Sequence, residues 1–443
     1  MLKDFCIESY SELKKMRELP RPPFDSPLIA GNLSLTHPLS KLSSYQQLHN
    51  YITKSSISNN LQGIGHQWYW HYEVFEWLFL EYMLSQSYTN DFDTNTFNKT
   101  FNRANAELSR NHFIIRRITV LNGLPKLNTT INIRNGLSLS AVKDPSYDLA
   151  RLLKRHIHNK NREPSLWVMP EDHLLIQDCV VQKGNDGKEL LRLREQNAIE
   201  TDIVVKTLKL CIDTPICPKA VYSTYLSGFP LLPISHTEFD EYSEVTFTIQ
   251  RNLTRSERVN IHKTLDFIRN MKEPEYFSTA LNRFSDSYRV RNIEQNIVDL
   301  IVALEAMMGV KSEELKRRLA TNVAFLLGIN DSQRNDIYKM VSIAYDIRST
   351  IVHGTKNQAQ NVRSRLENYF PELKGKPSGE TNNFLNQFIR KLQVIVRAVL
   401  NAYIYGRLRK PPIQWFSKEE DYQFLPFDSK QRSEIQRTLG IKR

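Results

Sequence analysis

The segment YDIRSTIVHGTK, residues 345–356, sets Arg348 and His353 on either side of four residues, with a glycine directly after. A histidine is the one side chain whose ordinary pKa lies near neutrality, so it can give or take a proton at working pH. An arginine stays charged, and its planar fork can hold two oxygens of one anion. Together they suit proton transfer around an oxyanion. The spacing is loose, however: Arg151/His156 in RLLKRH and Arg255/His262 in RSERVNIH also fit it. It also suits an ordinary helix end, where a cation in the last turn meets the helix dipole and Gly354 stops the helix. Only the surroundings can promote one match over the others.

The match at 348–353 ends a segment with its own apolar stripe. Ile337, Val341, Ala344 and Tyr345 recur at three and four residues in SQRNDIYKMVSIAYDIRSTIVHG, the period of a helix with one buried face. Two such segments precede it. In RNIEQNIVDLIVALEAMMG the stripe is Ile293, Ile297, Leu300, Ile301, Leu304 and Met308, and in KSEELKRRLATNVAFLLG it is Leu315, Leu319, Val323 and Leu326. Each ends at a glycine, the usual residue just past a helix. FLNQFIRKLQVIVRAVLNAYIYG reads as a last long helix, halted by RKPP, and ELKGKPSGETNN as a loop. A further helix is expected over TRSERVNIHKTLDFIRNM.

Ahead of residue 255 the pattern differs. ITVLNG, TTINIRNGLSLSAV and HLLIQDCVVQK show β-branched runs punctuated by Asn-Gly, a hairpin signal. The reading continues the strands through the Asp-Gly turn of GNDGKE into LLRLRE, then through TDIVVKTLKLCI and EVTFTIQRN. DPSYDLARLLKRHIH breaks in as a helix capped by Asp144 or Ser146, and HQWYWHYEVFEWLFLEYML (66–84) as one apolar nearly all round. The expected class is α+β: a mixed, β-rich region over 1–275, an all-α bundle over 280–410, and a tail over 411–443.

The chain of 443 residues exceeds what one core usually fills, and its formal charge of +12 favours a polyanionic partner. Between residues 285 and 410 there are 20 Lys and Arg against 12 Asp and Glu, a net +8 of that total. The basic run RLLKRHIHNKNR is a second place for phosphates, or a solvated face. Four scattered cysteines without a Cys-x2-Cys pair give no zinc site, and no metal or cofactor is expected. No Gly-x-Gly-x-x-Gly or P-loop occurs. The amino-terminal segment has no secretory h-region, and the most apolar run, 74–85, is short and broken by Glu76 and Glu81. A cytoplasmic protein without membrane contact is expected.

Taken together, ALEAMMG, KRRLATNVAFLLG and AYDIRSTIVHG follow the order and approximate spacing of a known family. Residues 280–410 resemble HEPN domains of the ApeA-like kind. INIRNGLSLSAVKD is more distantly similar to the sensing regions found ahead of such domains. The resemblance implies a metal-independent endoribonuclease of a bacterial antiphage or abortive-infection system, often acting on tRNA anticodon loops. The 2′-OH of the RNA would attack the adjacent phosphate, leaving a 2′,3′-cyclic phosphate and a 5′-OH. By the same resemblance Arg348 stabilises the transition state and His353 is the general base or acid. Ser349 stands where many such domains carry Asn, Asp or His. Glu305 and Arg318 would orient the pair or touch RNA, and Tyr345 would stack or hydrogen-bond.

Positions five apart on a regular helix differ by about 140° around the axis. Arg348 and His353 therefore converge on one phosphate only if the helix loosens near Ile351, or if two chains pool their residues. The resemblance points to the latter, a homodimer with a site across its twofold axis. The N-terminal region would then restrain or trigger the nuclease, since an unrestrained one would harm its own cell, and a phage-derived trigger is a candidate for what it senses. Plainer roles exist beside these: an ion pair of Glu305 with Arg318 tying two helices, and Tyr345 as core. The alternative function is a bundle that binds RNA or a nucleotide within a multiprotein defence complex without cutting.

Overall fold

In the computed structural model the described residues are 92–142 (except 109, 111 and 135), 172–182, 187–227, 235–238, 251–270, 274–288, 293–308, 314–354, 357–409 and 428–438, with a few isolated positions elsewhere. Several sequence expectations lie outside them: the helix at 66–84, the helix beginning near Asp144 with its Arg151/His156 match, most of the strand EVTFTIQRN, and the stop at Gly309. The chain divides into two compact units. One comprises Met1–Asn122, Lys126–Thr201 and Pro218–Phe239; the other comprises Gly123–Pro125, Asp202–Cys217 and Asp240–Arg443.

In the first unit, INIRNGLSLSA makes the hairpin its Asn-Gly pair predicts. Strand β2 (Ile131–Arg134) runs antiparallel to β3 (Leu137–Ala141). They join β1 (His112–Asn122), β4 (His173–Gln182), β5 (Cys217–Ser227) and β6 (Ser235–Glu238) in a six-stranded sheet of order β2-β3-β4-β1-β5-β6. Alternation sets the register: β2 buries Ile131 and Ile133 and exposes the residues between, as period two requires. The long β1/β4 pairing runs from His112 opposite Gln182 to Leu121 opposite His173. Arg116 and Asp178, cross-strand partners, form a two-pronged ion pair of 2.7 and 2.6 Å. Ile118, Val120, Leu174, Ile176, Ala220 and Tyr222 gather in this unit's core. Buried beside them, Asp172 accepts from Asn122 at 2.9 Å and from the Lys219 ammonium at 3.0 Å. A helix α1 (Thr94–Leu108) precedes the sheet.

Gly136 turns the hairpin at φ +74°, and a Cβ there would stand 2.7 Å from the Asp178 carbonyl oxygen. The Asp178 amide also donates to the Gly136 carbonyl at 2.7 Å. Gly136→Ala is therefore expected to cost about 1–3 kcal/mol from left-handed strain and the close approach. A urea melt of the full chain, followed by circular dichroism, checks this; an unchanged midpoint would contradict it.

Two of the strands expected beyond GNDGKE are helical instead. Gly187–Cys211, including LLRLRE and TDIVVKTLKLC, form one 25-residue helix, α2. Asn197, Glu200, Thr201, Val204, Val205 and Leu208 are buried along it, and that spacing of three and four marks a helix face. The run Ile203-Val204-Val205 favours strand by its β-branched side chains, but burial of the helical stripe outweighs local preference.

In the second unit the stripes read from the sequence are all helical: α5 (Ile293–Met308), α6 (Leu315–Leu327), α7 (Asp331–Val352) and α9 (Thr381–Leu408). The helix expected near 255 is α3 (Arg255–Asn270). It opens with a capping box: the Glu257 amide donates to Thr254 Oγ1 at 3.2 Å, and the Thr254 amide donates back to the Glu257 carboxylate at 2.8 Å. Three helices went unread: α4 (Glu275–Asp286), α8 (Gln358–Tyr369) and α10 (Ser429–Thr438). The expected loop at 372–383 holds two 3-10 turns, Pro371–Leu373 and Ser378–Glu380, and the start of α9. A single hydrophobic core takes side chains from α4 to α9, with Leu210 of α2 and Ile435 of α10. Each fully buried Leu, Ile or Phe contributes about 1.5–3 kcal/mol.

Two polar devices lock this core. Arg397 of α9 donates through Nε to the Lys209 carbonyl at 3.0 Å and through a terminal nitrogen to the Tyr288 hydroxyl at 2.8 Å, and it pairs with Asp213. Asn401 donates to the Leu210 carbonyl at 3.0 Å. The last carbonyls of α2 thus find donors, and a cation sits at its negative end. At the end of α6 the Gln436 amide nitrogen lies 3.0–3.1 Å from the carbonyl oxygens of Phe325, Leu326 and Gly328. The architecture is α+β, with a small sheet in the N-terminal half and helices dominating the C-terminal part. Among the described residues no helix is long and apolar enough to cross a membrane.

Candidate functional site

Helix α7 carries the site because one of its faces is committed to the core. Met340, Val341, Ile343, Ala344 and Ile347 are buried, so Arg348, next in sequence, emerges at the border of that face. The helix starts on Asn330, whose side chain accepts from the Gln333 amide at 2.9 Å. It ends at His353, whose amide still donates to the Ser349 carbonyl at 3.1 Å, and at Gly354 with φ +59°. Nothing stands within 4 Å of a Cβ built on Gly354, so the glycine is there for its left-handed backbone, as an ordinary helix stop requires.

Arg348 reaches toward α5. A terminal nitrogen of its guanidinium lies 3.8 Å from a carboxylate oxygen of Glu305, both side chains being three-quarters or more buried. That distance is an electrostatic contact and not a hydrogen bond. Arg348 Nε and Glu305 Oε1 are both buried and have no hydrogen-bond partner. Burial pushes the Glu305 carboxyl above the usual carboxylate range, and the Arg348 charge pulls it only part of the way back. The guanidinium carbon also stands 5.8 Å from the centre of the Tyr345 ring, within cation–π range. Tyr345 also packs against the core, the plainer role expected of it.

Glu305, Tyr345 and Arg348 thus come together, as the three motifs suggest. Glu305 takes Arg348 as its ion-pair partner, and not Arg318 as in the plainer alternative. Arg318 sits half-buried in the first turn of α6. Ser349 is half-buried on α7, and His353 is exposed. Along a regular helix His353 stands about 7.5 Å further on and about 140° around from Arg348. Ile351 and Val352 remain helical, so no loosening near Ile351 brings the two side of α7 together.

One charged centre went unread. Asp346, two residues before Arg348, receives both oxygens' worth of contact from Lys316 at 2.7 Å, and Arg365 of α8 approaches to 3.7 Å. It points about 200° away from Arg348 on the helix. Its signal in the sequence was the basic run KRR at the head of α6, which offers a counter-charge to the acid in YDIR. The Arg255/His262 match lies on α3, where Arg255 is the first residue. Among the described residues no group of three or more His, Cys, Asp or Glu could hold a metal ion.

Comparisons of the chain with family models, with curated proteins and with solved structures found no match.

Proposed function

We propose that the chain is a metal-independent endoribonuclease of the HEPN type, acting as a homodimer through its helical bundle. The observation that carries this reading is the pairing on α7 of a held arginine with an exposed histidine just past the helix end. A fixed cation can grip a phosphodiester and offset the charge that develops on its oxygens. A solvent-facing imidazole can take the 2′-OH proton or return one to the leaving 5′ oxygen. The 2′-OH is the nucleophile, so the protein has only to orient, neutralise and move protons.

The angular gap between Arg348 and His353 supports a composite site to which two copies, related by a twofold axis, each contribute. Glu305 and Tyr345 flank the guanidinium, while Ser349 offers a hydroxyl one residue on. Arg318 adds positive charge from α6. The substrate class is RNA, with tRNA as the first candidate. The setting is bacterial antiphage defence, and the N-terminal region restrains the nuclease until a phage-derived trigger acts on it. The protein needs no cofactor and works in the cytoplasm, away from membranes.

The direct test is incubation of the full chain with total tRNA in EDTA, followed by mapping of product ends. Cyclic-phosphate and 5′-OH ends are expected. RNA left intact, but bound in a gel shift that His353→Ala does not alter, would establish the non-cutting module instead.

A further inference from the structure

The Glu305–Arg348 contact has an unusual form. Both groups are largely out of water, yet they stand at 3.8 Å without a hydrogen bond, and each leaves a buried polar atom unpartnered. A pair built for stability would close into a two-pronged bridge, as Arg116 and Asp178 do in the sheet. The open pair keeps a carboxylate in a place that disfavours its charge. Arg348 is what makes that charge tolerable.

We propose that Glu305 is a resident counter-ion which an incoming phosphodiester displaces, and that Glu305 takes up one proton from solvent as the phosphate settles on Arg348. The proposal rests on the reading of Arg348 as the phosphate ligand. Before binding, one cation faces one carboxylate. After binding, two anions would share that cation, and the largely buried carboxylate is the one that protonation can neutralise. The phosphodiester stays ionised at any working pH. The acid form of Glu305 can also donate a hydrogen bond to the phosphate, where the carboxylate would repel it.

Of the helices packed against α5, α7 supplies the charge that acts on Glu305. Arg283 of α4 is engaged with Asp299, and Arg397 of α9 with Asp213. Lys316 of α6 and Arg365 of α8 meet Asp346 on the other side of α7. His353 lies just past the end of α7, and the test removes it.

The sign is fixed by linkage. Phosphate on Arg348 weakens the hold of Arg348 on the carboxylate, so Glu305 binds its proton more tightly in the complex than in the free protein. Affinity therefore rises as pH falls through the window between the two values, and is flat above the complex's value and below the free protein's.

The experiment measures binding of a fluorescent single-stranded DNA to the full chain carrying His353→Ala, from neutral to mildly acidic pH. The probe lacks a 2′-OH, so a failed ribonuclease reading and a failed counter-ion are told apart. In the parent, affinity should rise with acidity by one proton's worth. Glu305→Gln should bind about tenfold more tightly at neutral pH, as expected for a partly screened pair near 4 Å, and should lose the pH slope. Arg348→Gln should weaken binding and lose the slope as well. An unchanged slope in Glu305→Gln, or affinity no greater than the parent's, overturns the proposal, as does a neutral effect of Arg348→Gln. Should Glu305→Gln fail to fold, Glu305→Asp, with its carboxylate drawn back by one methylene, is read instead. Tightening by a smaller factor supports the proposal, and no tightening overturns it.

Discussion

His353→Ala is expected to lower RNA cleavage by about 10²–10⁴-fold, the usual worth of a positioned acid or base, while the thermal midpoint stays within experimental error. The two halves of that expectation have separate grounds. The loss follows from the role of the imidazole in moving the 2′-OH proton, which alanine cannot take. The intact fold follows from position: the His353 side chain is exposed, and the helix end is secured by the His353 amide and by Gly354, neither of which the substitution removes. Product-end mapping in EDTA and a calorimetric scan on the same sample read both halves at once. Activity within threefold of the parent would remove His353 from the chemistry. In a composite site, mixing His353→Ala with Arg348→Ala chains should restore part of the activity that neither variant has alone. No recovery would mean that both residues act from the same chain.

Arg397→Met is expected to destabilise the bundle by about 3 kcal/mol. The methionine keeps much of the stem's packing but supplies no donor. The Lys209 carbonyl and the Tyr288 hydroxyl then lose their partner in a setting where water does not replace it. Asp213 is largely exposed and suffers little. Burial opposes the charge of Arg397, and Tyr288 and Asp213 more than restore it, so the guanidinium remains a cation within the core. For a domain of this size the loss corresponds to roughly 6–12 °C in Tm. Arg365→Met, which removes a half-exposed partner of Asp346 at 3.7 Å, serves as control and should change stability by less than about 0.5 kcal/mol. A loss below about 1 kcal/mol for Arg397→Met would mean that the carbonyls at the end of α2 are satisfied another way.

The helices that a one-sided stripe announces were legible in the sequence. In α5 the positions 297, 300, 301, 304 and 308 are all buried, as their spacing implies. Helix α8 was not legible because only Val362 and Leu366 are buried along it, too few to show a period. Its place is held by Arg363, which donates to the carbonyls of Leu373, Lys376 and Pro377, contacts that no local pattern encodes. Helix α2 was misread because its β-branched run and the Asp-Gly before it are strand signals, while the helical burial that overrides them is tertiary. At the site, Arg348, Glu305 and Tyr345 were legible through three motifs in order. The partner of Glu305 was not. Arg318 and Arg348 are both basic and both on neighbouring helices, and the choice between them depends on how α5 is rotated against α6 and α7, which a linear pattern does not specify.

The last turns of α2 belong with the bundle: Arg397 and Asn401 hold the carbonyls of Lys209 and Leu210. This bears on how such a gene can be cut and rejoined. A fusion or truncation placed at residue 275 or 280 would discard those carbonyls, Asp213 and the capped helix α3, and one stopped at 410 would discard Gln436. The excised piece would keep every residue of the proposed site and lack the groups that let it fold. Silence from such a fragment would report on its missing supports and not on its chemistry. In a lineage that shuffles domains, the bundle travels intact only when a stretch from the middle of the chain travels with it.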